Sequence, residues 1–237
     1  TDQSQYDNIK GQAYFIRAFA FFDLVKNFSP PYDPSTARAD LGIPLKLSPN
    51  IDQRQPRASV QQTYDQIISD LHTACGLLNS EVPVQYRNRA SKPAAYALFA
   101  RLYLSMRDYT NAELYADSCL TLYSKLIDYN TVNKSSNTPF QKNNDENILW
   151  ALESGGGYSN VSYNSPSNIS IDTTLLASYA PNDLRRSIYF ITNPSTGLTK
   201  ARKGYSANFA PFVGMATDEV YLIKAECAAR HGDAQTA

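Results

Sequence analysis

Apolar positions crowd the first stretch of the chain and then settle into stripes. Between Ile9 and Phe28, the residues Tyr14, Phe15, Ile16, Phe19, Phe21, Phe22, Leu24 and Val25 are interrupted mainly by Arg17, Asp23 and Lys26. A helix apolar on most of its sides must be packed on most of them. Pro30, Pro31, Pro34, Pro44, Pro49 and Pro56 follow, so the next connection cannot be helical throughout. The helical signal returns at Ser59-Val60-Gln61-Gln62, a capping box in which hydroxyl and amide satisfy the orphan groups of a helix start. Behind it Val60, Tyr64, Ile67, Ile68, Leu71, Cys75 and Leu78 recur at helical spacing and form one stripe.

A second pair of helices is expected further on. Ser91 is placed to cap one running to Met106, and Asp108 opens another running to about Tyr123. From 128 to 147 the chain is rich in Asn, Ser, Thr and Lys and reads as a long loop, followed by a possible short strand at Ile148 to Leu152. Gly155-Gly156-Gly157 ends that strand, and the stretch to Met215 is expected to be irregular. A last helix starts near Thr217, with Asp218 and Glu219 in its first turn, where the helix dipole favours acids.

Self-similarity links these helices. Tyr96-Ala97-Leu98-Phe99-Ala100 aligns with Tyr221-Leu222-Ile223-Lys224-Ala225, and Tyr14-Phe15-Ile16-Arg17-Ala18 carries the same Tyr-x-x-x-Ala step. The central copy follows the tetratricopeptide pattern at Tyr96, Phe99, Ala100, Tyr103, Ala112, Ala116 and Cys119, with Ala116 standing where a ring is usual. Small residues at Ala100 and Ala112 let two antiparallel helices approach, and Tyr96 and Tyr103 fill the space beside them. The expected fold is therefore mainly α: tetratricopeptide-like helical repeats with long irregular loops and at most a few short strands. A single domain is expected over 1–237, with helix pairs near 8–78 and 91–124, an irregular region over 125–215 and a final repeat helix over 217–231. That last helix ends without its partner, so either another segment is expected to cover it or the chain is a piece of a longer protein.

Composition narrows the function. Twenty-two basic residues balance 22 acidic ones, which removes the field that would draw nucleic acid or an anionic membrane surface. No run approaches the roughly 20 apolar residues of a membrane span. Cys75, Cys119 and Cys227 are scattered and odd in number, unlike a disulfide framework or a zinc site. The aromatic share is 12%, made of 17 Tyr, 10 Phe and the single Trp150.

Catalytic chemistry finds little to use. His72 lies within a helix and His231 at a helix end, so a hydrolase triad has no obvious base. Asp145-Glu146 and Asp218-Glu219 could act as paired acids across a glycosidic bond, but adjacent acids at element ends are far more often caps. Gly155-Gly156-Gly157 has no following Lys or helix signal and makes no phosphate loop. Asp128, Asn130, Asn143, Asn144, Asp145 and Asn147 offer oxygen donors without the spacing of a calcium loop. No cofactor, metal or catalytic residue is expected.

Binding is expected on the connections, since a rigid scaffold presents function there. Tyr158, Tyr163 and Asn164 lie in the glycine-rich loop, Tyr205 and Phe209 in a later irregular stretch, and Tyr32 beside prolines in the first. An exposed ring can stack on the apolar face of a sugar while a neighbouring amide bonds its hydroxyls.

An ordered series of motifs resembles the SusD/RagB family. Lys10-Gly11-Gln12-Ala13-Tyr14-Phe15-Ile16-Arg17-Ala18 is similar to the start of its first repeat, Gly42-Ile43-Pro44-Leu45 to its Gly-Val-Pro-Leu turn, and Arg57-Ala58-Ser59-Val60 with Tyr64 to Leu71 to its second helix. Arg89-Ala90-Ser91-Lys92, Glu146-Asn147-Ile148-Leu149-Trp150, Asp183-Leu184-Arg185-Arg186 and Glu219 to Cys227 resemble its later landmarks. The resemblance implies a non-catalytic cell-surface lipoprotein of the outer membrane. Such a protein captures an oligosaccharide or other small nutrient and hands it to a SusC-like TonB-dependent transporter. It would meet the membrane only through a lipid anchor that this chain lacks. A tetratricopeptide scaffold binding another protein is the alternative, and a glycoside hydrolase a third.

Overall fold

The structure, a computed structural model, describes residues 2–153, 170–208 and 210–233. The described elements in chain order are α1 Gln3–Phe28, β1 Leu41–Pro44, β2 Arg57–Ser59, α2 Val60–Leu77, α3 Lys92–Ser105, α4 Tyr109–Leu122 and β3 Asn147–Leu149. They continue with α5 Thr173–Ser178, α6 Leu184–Tyr189, β4 Phe190–Thr192, β5 Thr199–Ala201, β6 Met215–Ala216 and α7 Thr217–His231. The chain divides into two compact units. The first holds Thr1–Val82, Ala90–Ser124 and Asp218–Ala237; the second holds Pro83–Arg89 and Lys125–Thr217.

The first unit is made of antiparallel helix pairs. Asp2 caps α1 by accepting from the Ser4 amide, and the capping box of α2 forms through Ser59 and Gln62 as its sequence predicts. Contacts between α1 and α2 run in opposite directions along the two helices. Asn8 bonds the Asn79 amide, Arg17 meets Asp70, and Phe22 packs edge-on to Tyr64 with centroids 6.4 Å apart. Phe15, Ala18, Phe22 and Val25 of α1 and Ile67, Leu71 and Ala74 of α2 are buried, which removes both stripes from water.

One ion pair is built into that interface. Arg17 donates Nε and Nη2 to the two oxygens of Asp70, at 2.7 and 2.6 Å, and Gln66 adds a third bond to the same carboxylate. Asp70 holds the Arg17 guanidinium above its usual pKa through that hydrogen bonding. The Asp70 side chain is only 2% exposed while that of Arg17 is 31% exposed, so an unpaired Arg17 can turn toward water. Asp70→Ala is therefore expected to cost about 2 kcal/mol, below the span usual for breaking a fully buried pair. Urea denaturation followed by far-ultraviolet circular dichroism measures it, and a change under 0.5 kcal/mol would contradict the assigned role.

The α3–α4 pair closes around small residues. Ala94, Ala97 and Ala100 on α3 and Ala112, Ala116 and Cys119 on α4 are all buried, and the Cys119 thiol donates to the Pro93 carbonyl at 3.3 Å. Asp108 caps α4 by accepting from the Asn111 amide. Ser91 occupies the N-cap position of α3 but makes no capping bond, a difference from expectation: its hydroxyl is buried, and Pro93 occupies the first turn. Where the repeat pattern wants a ring, Ala116 leaves space and its neighbour Tyr115 supplies one, stacked 4.2 Å from Phe99 and 5.5 Å from Tyr103. Along α7, Glu219 pairs with Arg101, Lys224 with Asp117 and His231 with Glu113. The architecture is mainly α and tetratricopeptide-like.

The second unit is built differently. β3 pairs antiparallel with β6, Asn147 opposite Ala216 and Leu149 opposite Met215. β4 and β5 form a hairpin with Phe190 opposite Ala201 and Thr192 opposite Thr199. Two one-turn-and-a-half helices precede it, α5 capped by Asp172 and α6 by Asp183.

Candidate functional site

The second unit gathers aromatic side chains around Phe140, which is 1% exposed. Tyr205 meets the Phe140 ring edge-on at 4.9 Å, Tyr189 lies at 5.7 Å and Tyr129 at 6.0 Å. Tyr205 also meets Phe212 edge-on at 5.8 Å, and Tyr179 meets Phe190 at 5.5 Å. Edge-to-face geometry suits the ring quadrupole and locks each ring by its neighbours.

Local sequence explains how these rings are placed. Tyr189 closes α6 and Phe190 opens β4, so one helix-to-strand joint delivers two rings. The Arg202 amide donates to the Tyr189 carbonyl at 2.7 Å, which ties the end of the hairpin to that joint. Tyr205 is held through its backbone. The Asn147 amide nitrogen donates to the Tyr205 carbonyl at 3.3 Å, and the Trp150 indole N–H donates to the next carbonyl, Ser206, at 3.2 Å. Ala207 then takes a left-handed φ of 54°, sharpening the turn.

The hydroxyls are linked as well. The Tyr205 hydroxyl donates to Glu146, which is 3% exposed and also accepts from the Ile127 amide at 2.9 Å. The Tyr129 hydroxyl bonds that of Tyr205 at 3.3 Å and that of Tyr189. A buried carboxylate needs such donors, so Glu146 fixes the direction of bonding through the group.

Beside this cluster lies a cavity of about 450 Å³ lined by Ile171, Leu175, Tyr189, Phe190, Tyr205 and Phe212 together with Arg202 and Gly204. Its size and largely apolar lining with a few polar groups are those of a small-molecule site. Burial pulls the Arg202 guanidinium below its usual pKa, although an arginine remains a cation at any physiological pH. Two further hollows occur among the described residues. One of about 730 Å³ in the first unit has Leu45, Gln53, Gln55, Gln62, Asp65 and Gln66 in its lining. One of about 380 Å³ in the second has Phe140, Gln141, Asn143, Asn144 and Asp145.

Of the residues expected to touch ligand, Tyr205 forms part of the aromatic cavity wall, with its hydroxyl engaged by Glu146. Tyr32, in the first unit, is half-buried against Tyr64, with centroids 4.9 Å apart, and donates to Gln61 at 2.9 Å. Tyr158, Tyr163, Asn164 and Phe209 lie outside the described residues. Sequence reasoning missed Tyr189, Phe190, Phe212 and Arg202. The β-prone run Phe190-Ile191-Thr192 before the turn-forming Asn193-Pro194-Ser195-Thr196-Gly197 was the available signal.

The acids considered for catalysis have structural partners. Glu146 is bonded as described, Asp145 lies near Arg87 and Lys125, Glu219 is bidentate with Arg101, and Asp218 accepts the Glu219 amide. His72 rests 4.9 Å from the Phe99 ring. Desolvation pushes the thiols of Cys75 and Cys119 up to about 12 and that of Cys227 to about 11, so none is a ready nucleophile. Asp128 and Asn144 spend their side-chain oxygens on nearby amides, and among the described residues no group of three His, Cys, Asp or Glu converges on a metal position.

Helix pairs closed around alanine make the first unit tetratricopeptide-like, and the second unit carries an aromatic cavity. Residues 1–104 match the SusD-like family described as "Starch-binding associating with outer membrane". A SusD superfamily protein from Bacteroides thetaiotaomicron shares the fold with a TM-score of 0.77 at 23% identity, over 100% of this chain and 58% of its own. A SusD-like carbohydrate binding protein from Bacteroides vulgatus does so with a TM-score of 0.75 at 19% identity, over 100% of this chain and 54% of its own. A laminarin binding SusD-like protein gives a TM-score of 0.64 at 19% identity, over 96% of this chain and 61% of its own. Sequence similarity to that family is thus confined to residues 1–104, while the fold of the SusD superfamily structures is shared along the whole chain. It spans 54 to 61% of the length of these three solved relatives. No curated protein matches its sequence. No described helix is long and apolar enough to cross a membrane.

Proposed function

We propose that the chain is part of a non-catalytic glycan-binding protein of the outer-membrane surface, lipid-anchored, which passes an oligosaccharide or similar nutrient to a SusC-like TonB-dependent transporter. The observation that carries the binding step is the 450 Å³ cavity walled by Tyr189, Phe190, Tyr205 and Phe212. Rigid rings in a hollow of that size supply apolar surface for the faces of a sugar and are already ordered before it arrives. The family description and the carbohydrate and laminarin ligands named for its structural relatives support the same reading.

Calorimetric titration of the chain with neutral and acidic oligosaccharides tests it. Tyr189→Ala removes one wall of the cavity, and the affinity of any glycan that binds is expected to fall about tenfold, the equivalent of one lost stacking contact. Unchanged affinity in Tyr189→Ala would place the sugar elsewhere.

A further inference from the structure

One group in the cavity lining, Arg202, is not explained by a neutral sugar. We propose that the residue taken by this cavity is a uronic acid, its carboxylate paired with Arg202. This rests on the glycan-binding reading and names the class of sugar.

Arg202 is positioned but not neutralised. Its Nε donates to the Phe190 carbonyl at 3.1 Å and its Nη1 to the Ser136 carbonyl, which together fix the plane of the guanidinium. A guanidinium has five N–H donors; Nη2 carries two of them, takes no bond within the described residues and is not a buried orphan, so both are open to solvent on a residue that lines the cavity. Among the described residues no carboxylate oxygen lies within the 4.0 Å of an ion pair with it, whereas Arg17, Arg101, Arg185 and Arg230 each hold an acid at 2.5 to 2.7 Å.

The neighbours leave recognition to this cation. The Tyr205 hydroxyl is committed to Glu146 and the Tyr189 hydroxyl to Tyr129, so both residues offer the cavity their rings. The remaining walls, Ile171, Leu175, Phe190 and Phe212, are apolar. A planar guanidinium matches a carboxylate with two parallel bonds, and apolar surroundings strengthen that pairing. A neutral sugar in the same place would strip water from Arg202 and return no charge, so the site selects against it.

The test is calorimetry on the intact chain. Oligogalacturonate and oligoglucuronate are compared with neutral galacto- and gluco-oligosaccharides of equal length, and with the methyl ester of each uronate. Wild type is expected to bind a uronate at least tenfold more tightly than its neutral counterpart and than its ester, which loses the charge while the protein is untouched. In Arg202→Gln the uronate-to-neutral ratio is expected to fall below threefold. Equal affinity for uronate, ester and neutral sugar would overturn the uronate assignment while leaving glycan binding standing. If no glycan of either kind binds, the glycan-binding reading fails, and this inference with it.

Discussion

Replacing Ala100 by leucine is expected to destabilise the first unit by about 3 kcal/mol, the upper part of the range for forcing extra methylenes into a packed core. Ala100 is 0% exposed on the inner face of α3, with Ala112 and Ala116 equally buried on α4. Three added carbons must push the two helices apart or turn the Phe99, Tyr103 and Tyr115 rings out of their stack. Dense interiors cannot absorb such a volume locally. Urea denaturation followed by far-ultraviolet circular dichroism reads the change, and a loss below 1 kcal/mol would mean that close approach at alanine does not hold the pair together.

In the second unit Gly214→Ala is expected to have an effect of the same size, about 3 kcal/mol. A Cβ at Gly214 would stand 1.9 Å from the Leu149 carbonyl oxygen and 2.8 Å from two carbons of the Phe212 ring. The carbonyl is backbone and cannot swing aside, so β3 and β6 must separate and Phe212 must leave its place in the cavity wall. Trp150 is the chain's single tryptophan and belongs to this unit, so its fluorescence during urea denaturation reports this loss and not that of the first unit. Glycan affinity is expected to fall alongside, because Phe212 moves. Wild-type stability by Trp150 fluorescence would contradict the close approach.

How far the sequence announced this structure depends on the length over which each signal repeats. α1, α2, α3, α4 and α7 each extend over several turns, and the apolar residues of α2, such as Tyr64, Ile67, Leu71 and Ala74, turn the same face inward. A stripe of that length outweighs local ambiguity. The alanine positions were legible too, since Ala100 and Ala112 stand out against rings. The six-residue helices α5 and α6 were hidden: a helix of so few turns has no periodic face, and only their caps, Asp172 and Asp183, signalled them.

The site was less legible than the fold. Tyr205 was recognisable as an aromatic on a connection, but its partners Tyr129, Phe140 and Phe212 are brought to it by tertiary folding. Nothing in local spacing joins residues separated by as many as 76 positions, as Tyr129 and Tyr205 are. Arg202 was hidden for a related reason. A basic residue in a loop is ordinarily solvated, and its significance comes from two carbonyls that hold it and from the acid that does not pair with it.

The most direct test of the account is a crystal structure of the chain with a bound oligosaccharide. Density for a sugar ring against Tyr189, Phe190 and Phe212 is the predicted result. A sugar seated instead beside Tyr32 on the first unit, with the aromatic cavity empty, would contradict it.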